Sequence, residues 1–418
     1  MRRSIRTVLV AATLAGCASA PAPAPAPVAI VPLQCPAVLP APLCPAVTLE
    51  PEPAKPPEPE LPRGRLQKSD WSALPEWDRD DLVAALDAFA QGCPILARDA
   101  AWQALCGRTL DAQMRRAPRD AAAFFQDGFE PWQVINGDET TTGLVTGYYE
   151  PLLFGSRSPT PRYRYPLYSA PADLLTIDLT SLYPELKHKR LRGRIDGNKV
   201  VPYMSRADID GDAAPLKGHE LVWVEDPVDL FFLHIQGSGQ VQFEDGTRMR
   251  VGYSDQNGHP FRSLGGLLIR RGEIKPERAS MQGIKDWARR NPARLQSFMN
   301  ANPSYVFFKE LPGDLTGPIG TLGVPLTAER SIAVDPRVIP LGVPVFLATT
   351  YPNSTQPLNR LMVAQDTGGA ISGGVRADFY WGFGDEAGRQ AGRMKQSGRM
   401  WVLLPRGYDP NATVPKAN

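Results

Sequence analysis

The sequence reads as mainly β with helices near the N-terminus, on three observations. Apolar side chains recur at helical spacing from about residue 66 to 150, and beyond Thr142 the texture changes to short apolar runs broken by Gly, Pro, Asn and Asp. At 418 residues the chain is long enough for two or three domains of roughly 100–200 residues each. In the helical part, the run Asp78–Phe89 puts Leu82, Leu86 and Phe89 on one face with Asp78 placed to cap its start, and a second helix is expected over Arg119–Gln126. Leu221–Val224 and Leu230–Ile235 read as strands. A helix is expected over Ser280–Asn300, carried by Gln282, Ile284, Trp287, Leu295 and Phe298. Strands resume at Val306–Phe308, Ile332–Val334, Val343–Leu347, Leu361–Ala364 and Met400–Leu404. No internal repeat and no nucleotide-binding glycine fingerprint occurs.

Charge excludes two classes of function. With 46 Lys and Arg against 44 Asp and Glu the net charge is +2, so neither a nucleic-acid footprint nor a disordered polyelectrolyte is indicated. Nucleic acid is not an expected partner.

The N-terminus is of another kind. Arg2, Arg3 and Arg6 precede the apolar run Val8–Ala15, the charge-then-apolar order of a secretory signal, and the run is too short to span a bilayer. It ends in Leu14-Ala15-Gly16-Cys17, which resembles the processing box of bacterial lipoproteins, with residues 1–16 as signal peptide and Cys17 as the lipidated end. An ordinary signal cut after Ala18 or Ala20 is the alternative. Stable anchoring needs more than one acyl chain. Ala18 lacks the acidic residue that such proteins use for inner-membrane retention, so the expected place is the periplasmic face of the outer membrane. Residues 21–62 hold 15 of the 43 prolines, a composition that cannot bury a core but is stiffened toward polyproline II. Residues 17–65 therefore read as a tether, its 42-residue proline-rich part reaching roughly 130 Å at about 3.1 Å per residue. Residues 408–418 read as a flexible tail.

Setting Cys17 aside leaves Cys35, Cys44, Cys93 and Cys106, an even number for an oxidising compartment. Proximity favours Cys35–Cys44 and Cys93–Cys106, the latter tying two helices, although spacing alone does not fix connectivity. No Cys-x-x-Cys occurs, and His188, His219, His234 and His259 lack metal-ligand spacing, so no metal and no cofactor is expected.

The chemistry concentrates in Gln365–Gly384, where Asp366 and Asp378 bracket a glycine-rich turn, with a third acid, Asp335, upstream. If the acids sit on strands, the spacing brings both carboxylates to one end of a barrel, with Tyr380 on the face of Asp378 and with Phe379 and Trp381 on the other. Each acid alone would serve as a turn cap. Three among Gly- and aromatic-rich segments point further, because neighbouring carboxylates raise one another's pKa and aromatic rings stack on sugars.

The segments Thr146–Pro151 (TGYYEP), Phe232–Gly239 (FLHIQGSG), Val251–His259 (VGYSDQNGH) and Asn302–Phe308 (NPSYVFF), with the three aspartates, together resemble the membrane-bound lytic murein transglycosylase A family, in order, across roughly residues 70–405. That resemblance implies a double-psi β-barrel domain carrying the aspartates (66–149 plus 302–407), a second β domain inserted into it (150–301), and a groove between them for a peptidoglycan glycan strand. It implies Asp378 as the catalytic acid and then base, with Asp366 and Asp335 positioning it. Tyr148, Tyr149, Gln236, Ser238, Gly239 and Tyr380 are the expected substrate-binding residues. Cell-wall synthases or scaffold proteins are the expected protein partners. Two other readings remain open at this level: a muramidase using Asp366 and Asp378 with water, and a non-catalytic peptidoglycan-binding lipoprotein. Three carboxylates without histidine resemble a Ca²⁺ site only loosely.

Overall fold

The computed structural model describes residues 64–186 and 189–410. The leader, the tether with Cys17, Cys35 and Cys44 up to residue 63, and all but the first residues of the tail lie outside the described residues; Gly64 and Arg65, expected in the tether, begin a strand.

The first helix starts from Asp81 rather than Asp78. The Asp81 carboxylate accepts the Ala84 N–H at 3.2 Å, and the helix Leu82–Leu96 buries Leu82, Ala85, Leu86, Phe89 and Cys93. Asp78 instead lies in a single 3-10 turn, Trp77–Arg79, because Glu76 takes a left-handed φ of 54° that redirects the chain. The helix Ala100–Arg115 carries Cys106, as a disulfide tying two helices requires, although its bounds were not read: its buried Trp102, Leu105 and Ala112 are interleaved with charged and polar residues. The third, Pro118–Gly128, begins with proline at its first position, where the missing N–H costs nothing. A disulfide joins Cys93 to Cys106 across the first two helices.

These helices pack on a sheet of eight strands in the order Gly64–Lys68, Phe129–Asn136, Lys395–Pro405, Pro344–Thr350, Pro357–Asp366, Ser331–Ala333, Arg376–Phe383, Gly143–Glu150. Lys395–Pro405 also pairs with Gly143–Glu150, so six of the strands close on themselves and leave no free edge. Phe89, Phe124, Phe125 and Phe129 interlock between helices and ring with centroids 5.2–6.4 Å apart. Each such pair adds about 0.5–1.5 kcal/mol beyond the area it buries.

From Glu150 the chain passes through Pro151 into Leu152–Ser156, a strand of a second sheet. That sheet runs Val306–Leu311, Arg248–Gln256, Ser238–Gln242, Leu152–Ser156, Glu220–Val224, Tyr165–Tyr168. A third, small sheet consists of Leu175–Thr176, Arg192–Asp196 and Lys199–Pro202.

Leu230–Ile235, expected as a strand, is helical. The helix Pro227–Gln236 starts on Asp226, whose carboxylate accepts the N–H groups of Val228 and Asp229 at 2.7 and 3.3 Å, and stops at Gly237 with φ 78°. A short apolar run buried at every position but Ile235 has no polar face to reveal its period, so caps decide. The expected helix at 280–300 is present as two, Met281–Arg290 and Pro292–Met299, divided where Pro292 interrupts the backbone ladder.

One ion pair ties the helical layer to the barrel. Arg330 donates to both oxygens of Asp80 at 2.8 and 2.9 Å, with side chains 7% and 3% exposed, and Asp80 also accepts the Leu361 N–H at 2.7 Å. Breaking one partner of a buried pair strands the other, at a typical cost of about 3–5 kcal/mol. Asp80→Ala is therefore expected to lower the urea midpoint by an amount corresponding to several kcal/mol at unchanged slope.

Candidate active site

Strand register assembles the site. The parallel pairing of Gly143–Glu150 with Arg376–Phe383 sets Thr146 beside Asp378 and Tyr148 beside Tyr380. On the other side, Ala333 pairs with Asp378 in one neighbour and with Asp366 in the other. The two aspartates therefore flank the short strand Ser331–Ala333, about 10 Å apart between Cα atoms at the usual interstrand spacing. The glycine-rich turn between them does not pair their strands directly, as a hairpin would.

The Thr146 hydroxyl donates to Asp378 Oδ1 at 2.6 Å and is its only hydrogen-bond donor among the described residues. Burial drives the Asp378 carboxyl up to about 6, with the charge of Asp366 adding to the rise, while the Thr146 bond and the Arg376 guanidinium pull the other way. Asp366 is differently served. Its Oδ1 accepts from the Thr321 N–H and hydroxyl and from the Thr367 N–H at 2.9–3.0 Å, and its Oδ2 accepts the Tyr148 hydroxyl at 3.2 Å. Burial raises its pKa too, opposed by these donors.

Asp335 is fully buried and does not touch Asp378. It is clamped by the Arg337 guanidinium, with both contacts at 2.7 Å, and accepts the Gly373 N–H at 2.8 Å, which pins the loop entering the Asp378 strand. Tyr148 and Tyr380 stack with centroids 5.2 Å apart, in a cluster with Leu326, Ala333 and Ile371 that floors the site. Phe379 and Trp381 point into the main core, the alternation expected of the strand.

The remaining expected residues divide. Gln236 Oε1 accepts the Tyr149 N–H at 3.0 Å, joining the helix end to the strand end, and the Tyr149 ring lies where a side chain at Gly388 would collide with it. Ser238 is partly exposed in the strand that follows. Gly239 is buried, and a Cβ there would sit 2.5 Å from Leu233 and 3.1 Å from the Pro151 carbonyl, so its smallness serves packing. His234 is buried against Tyr305 and Phe308 with Nδ1 2.8 Å from Arg206, and burial pushes it well below the usual histidine range. Its contacts are with Arg206, Tyr305 and Phe308, and none is with Asp378 or Asp366 among the described residues. His259 Nε2 meets the Tyr203 carbonyl at 2.7 Å. Among the described residues no group of three or more His, Cys, Asp and Glu is arranged to hold a metal.

Sequence reasoning missed Thr146, Thr321 and the pair Glu150–Arg250. Thr146 and Glu150 bound a motif it had singled out, but only register shows what they touch. Glu150, 1% exposed, receives Arg250 Nε at 2.8 Å and Gln240 Nε2 at 3.1 Å, linking the barrel strand to the second sheet beneath Tyr380.

Two family descriptions match the chain: MltA specific insert domain over residues 144–309 and 3D domain over 330–404. Membrane-bound lytic murein transglycosylase A of Escherichia coli K12 is 34% identical over 295 residues, 69% of this chain and 73% of that protein. Its Vibrio cholerae namesake is 32% identical over 68% and 71%. The crystal structure of MltA from Neisseria gonorrhoeae, monoclinic form, superposes with a TM-score of 0.74 at 39% identity, covering 84% of this chain and 94% of that one. Escherichia coli MltA with bound chitohexaose superposes with a TM-score of 0.60 at 30% identity, covering 77% and 90%. The segments quoted from the sequence, the ring of strands and these matches agree: the chain belongs to the membrane-bound lytic murein transglycosylase A family.

Proposed function

We propose that the protein is a peptidoglycan lytic transglycosylase that cuts the β-1,4 bond between N-acetylmuramic acid and N-acetylglucosamine, with Asp378 as acid and then base. The observation that carries this reading is the contrast between the two aspartates. Asp378 is a half-buried carboxyl whose pKa desolvation raises to about 6, with one donor among the described residues, whereas both oxygens of Asp366 are engaged.

Neutral Asp378 gives its proton to the glycosidic oxygen as the C1–O bond breaks. The muramoyl C6 hydroxyl then attacks C1 and its proton returns to Asp378, so a 1,6-anhydro ring forms and the acid is restored. An intramolecular nucleophile brings an effective molarity that water lacks, which is why one carboxylate suffices where hydrolysis uses two. In the muramidase reading Asp366 would activate water, yet its oxygens already accept four hydrogen bonds.

Chitohexaose in the Escherichia coli structure supports a β-1,4-linked N-acetyl sugar strand as the occupant here. Tyr148, Tyr149, Gln236, Ser238, Gly239 and Tyr380 are assigned to its groove, Gly239 through close packing. Asp366 tunes Asp378 by charge, and Asp335 acts through the Gly373 loop. The six-strand closure supports a double-psi barrel of residues 66–149 plus 302–407 with 150–301 inserted. The leader supports lipid anchoring through Cys17 on the periplasmic face of the outer membrane, with cell-wall synthases or scaffold proteins as neighbours.

Mass spectrometry of digested murein decides the reading: products one water lighter than hydrolysis products, without a reducible end, are expected, and reducing ends would establish the muramidase instead. Asp378→Asn is expected to lower their yield by about 10²–10⁴-fold. Its melting temperature at pH 7.5 should not fall, since burial already disfavours the charge it removes. Because the acid must carry its proton, turnover should decline as pH rises through about 6. Thr146→Val removes a donor that favours the carboxylate, so this limb should move to higher pH; a limb that stays in place would detach it from Asp378.

A further inference from the structure

We propose that the hairpin of Arg192–Asp196 and Lys199–Pro202 is a finger that docks on an anionic phospholipid surface. It lies outside the catalytic site, and the inference does not rest on the reaction assigned above.

Charge is the first observation. Residues 189–199 hold Lys189, Arg190, Arg192, Arg194 and Lys199 against Asp196 alone, a local net of +4 in a chain of net +2, so the rest of the protein carries −2. The second is an apolar pair with nothing on it. Register sets Ile195 directly opposite Val200, hence on one face, and these side chains are 66% and 56% exposed. Arg194 pairs with Val201 and Asp196 with Lys199 on the opposite face. Leu182 and Tyr183, 75% and 50% exposed, precede the basic run.

The third observation is a firm base. The hairpin belongs to a small sheet that pairs with neither larger one. Its stem is nevertheless fastened: Arg192 Nε meets Asp255 Oδ1 at 2.9 Å with the arginine side chain only 16% exposed, and the Tyr203 hydroxyl just past the hairpin donates to Asp173 at 2.8 Å. At the tip, Gly197 turns the chain with φ 60° and has open space around it.

A rigid ribbon with an apolar tip amid cations matches the boundary between headgroups and acyl chains, where Ile195 and Val200 leave water while Arg194 and Lys199 meet phosphates. The carboxylates of murein peptides would satisfy the cations but leave the apolar pair in water. A lipid anchor at Cys17 would keep such a surface within reach.

The test is hydrogen exchange on the full acylated protein reconstituted in phosphatidylcholine vesicles with and without phosphatidylglycerol. Exchange at residues 195–200 is expected to slow about tenfold only with the anionic lipid present, and high salt should reverse the effect. Ile195→Ser/Val200→Ser, at exposed positions, and Arg194→Gln/Lys199→Gln, at a half-buried and an exposed position, should each abolish the protection without changing product yield on soluble murein fragments. Equal exchange in the two vesicle types would overturn the proposal, as would protection that survives either double substitution. Protection by murein strands but not by vesicles would overturn it in favour of docking on the polymer.

Discussion

Everything at the site depends on one long-range pairing, the parallel ladder between Gly143–Glu150 and Arg376–Phe383. It joins residues 232 positions apart and closes the ring, and it also decides what Asp378 meets. A one-residue slip of Arg376–Phe383 would turn Asp378 and Tyr380 to the core, expose Phe379 and Trp381, and part Asp378 from Thr146. The apolar set on that side, part of the main core, therefore locks the chemistry of the other side.

Several buried or half-buried carboxylates lie in and beside the barrel, and they are treated differently. Asp80, Asp335 and Glu150 are each met by an arginine, and each joins parts distant in the chain or holds a loop. Asp366 is met by neutral donors from two loops and a tyrosine, which favour its carboxylate form without pairing it to a cation. Asp378 receives one hydroxyl, and Arg376 lowers its pKa only partly against burial. The poise of the acid follows from this uneven supply of donors, because burial favours the neutral form wherever compensation is incomplete.

The second sheet is coupled to this arrangement at two points. Gln236 grips the Tyr149 backbone from the end of its helix, and Arg250 reaches Glu150 from the sheet. Both contacts fall at the end of the strand that carries Thr146 and Tyr148, so the second sheet is fastened to the strand that pairs beside Asp378.

What the sequence determined by itself was local or compositional: the change from helical to β texture, the proximity of Cys93 and Cys106, and the aspartates with their flanking aromatics. The order of quoted segments was enough to recognise the family. Its failures were of one physical kind. Leu230–Ile235 passed for a strand because a buried apolar run carries no period, and Asp78 passed for a cap because acids cluster there and only backbone geometry selects Asp81. The partners of Asp378 and Asp366 were invisible for a deeper reason. Thr146, Thr321 and the strand Ser331–Ala333 come to them through register between distant segments, and register is a property of the closed ring that no local stretch encodes.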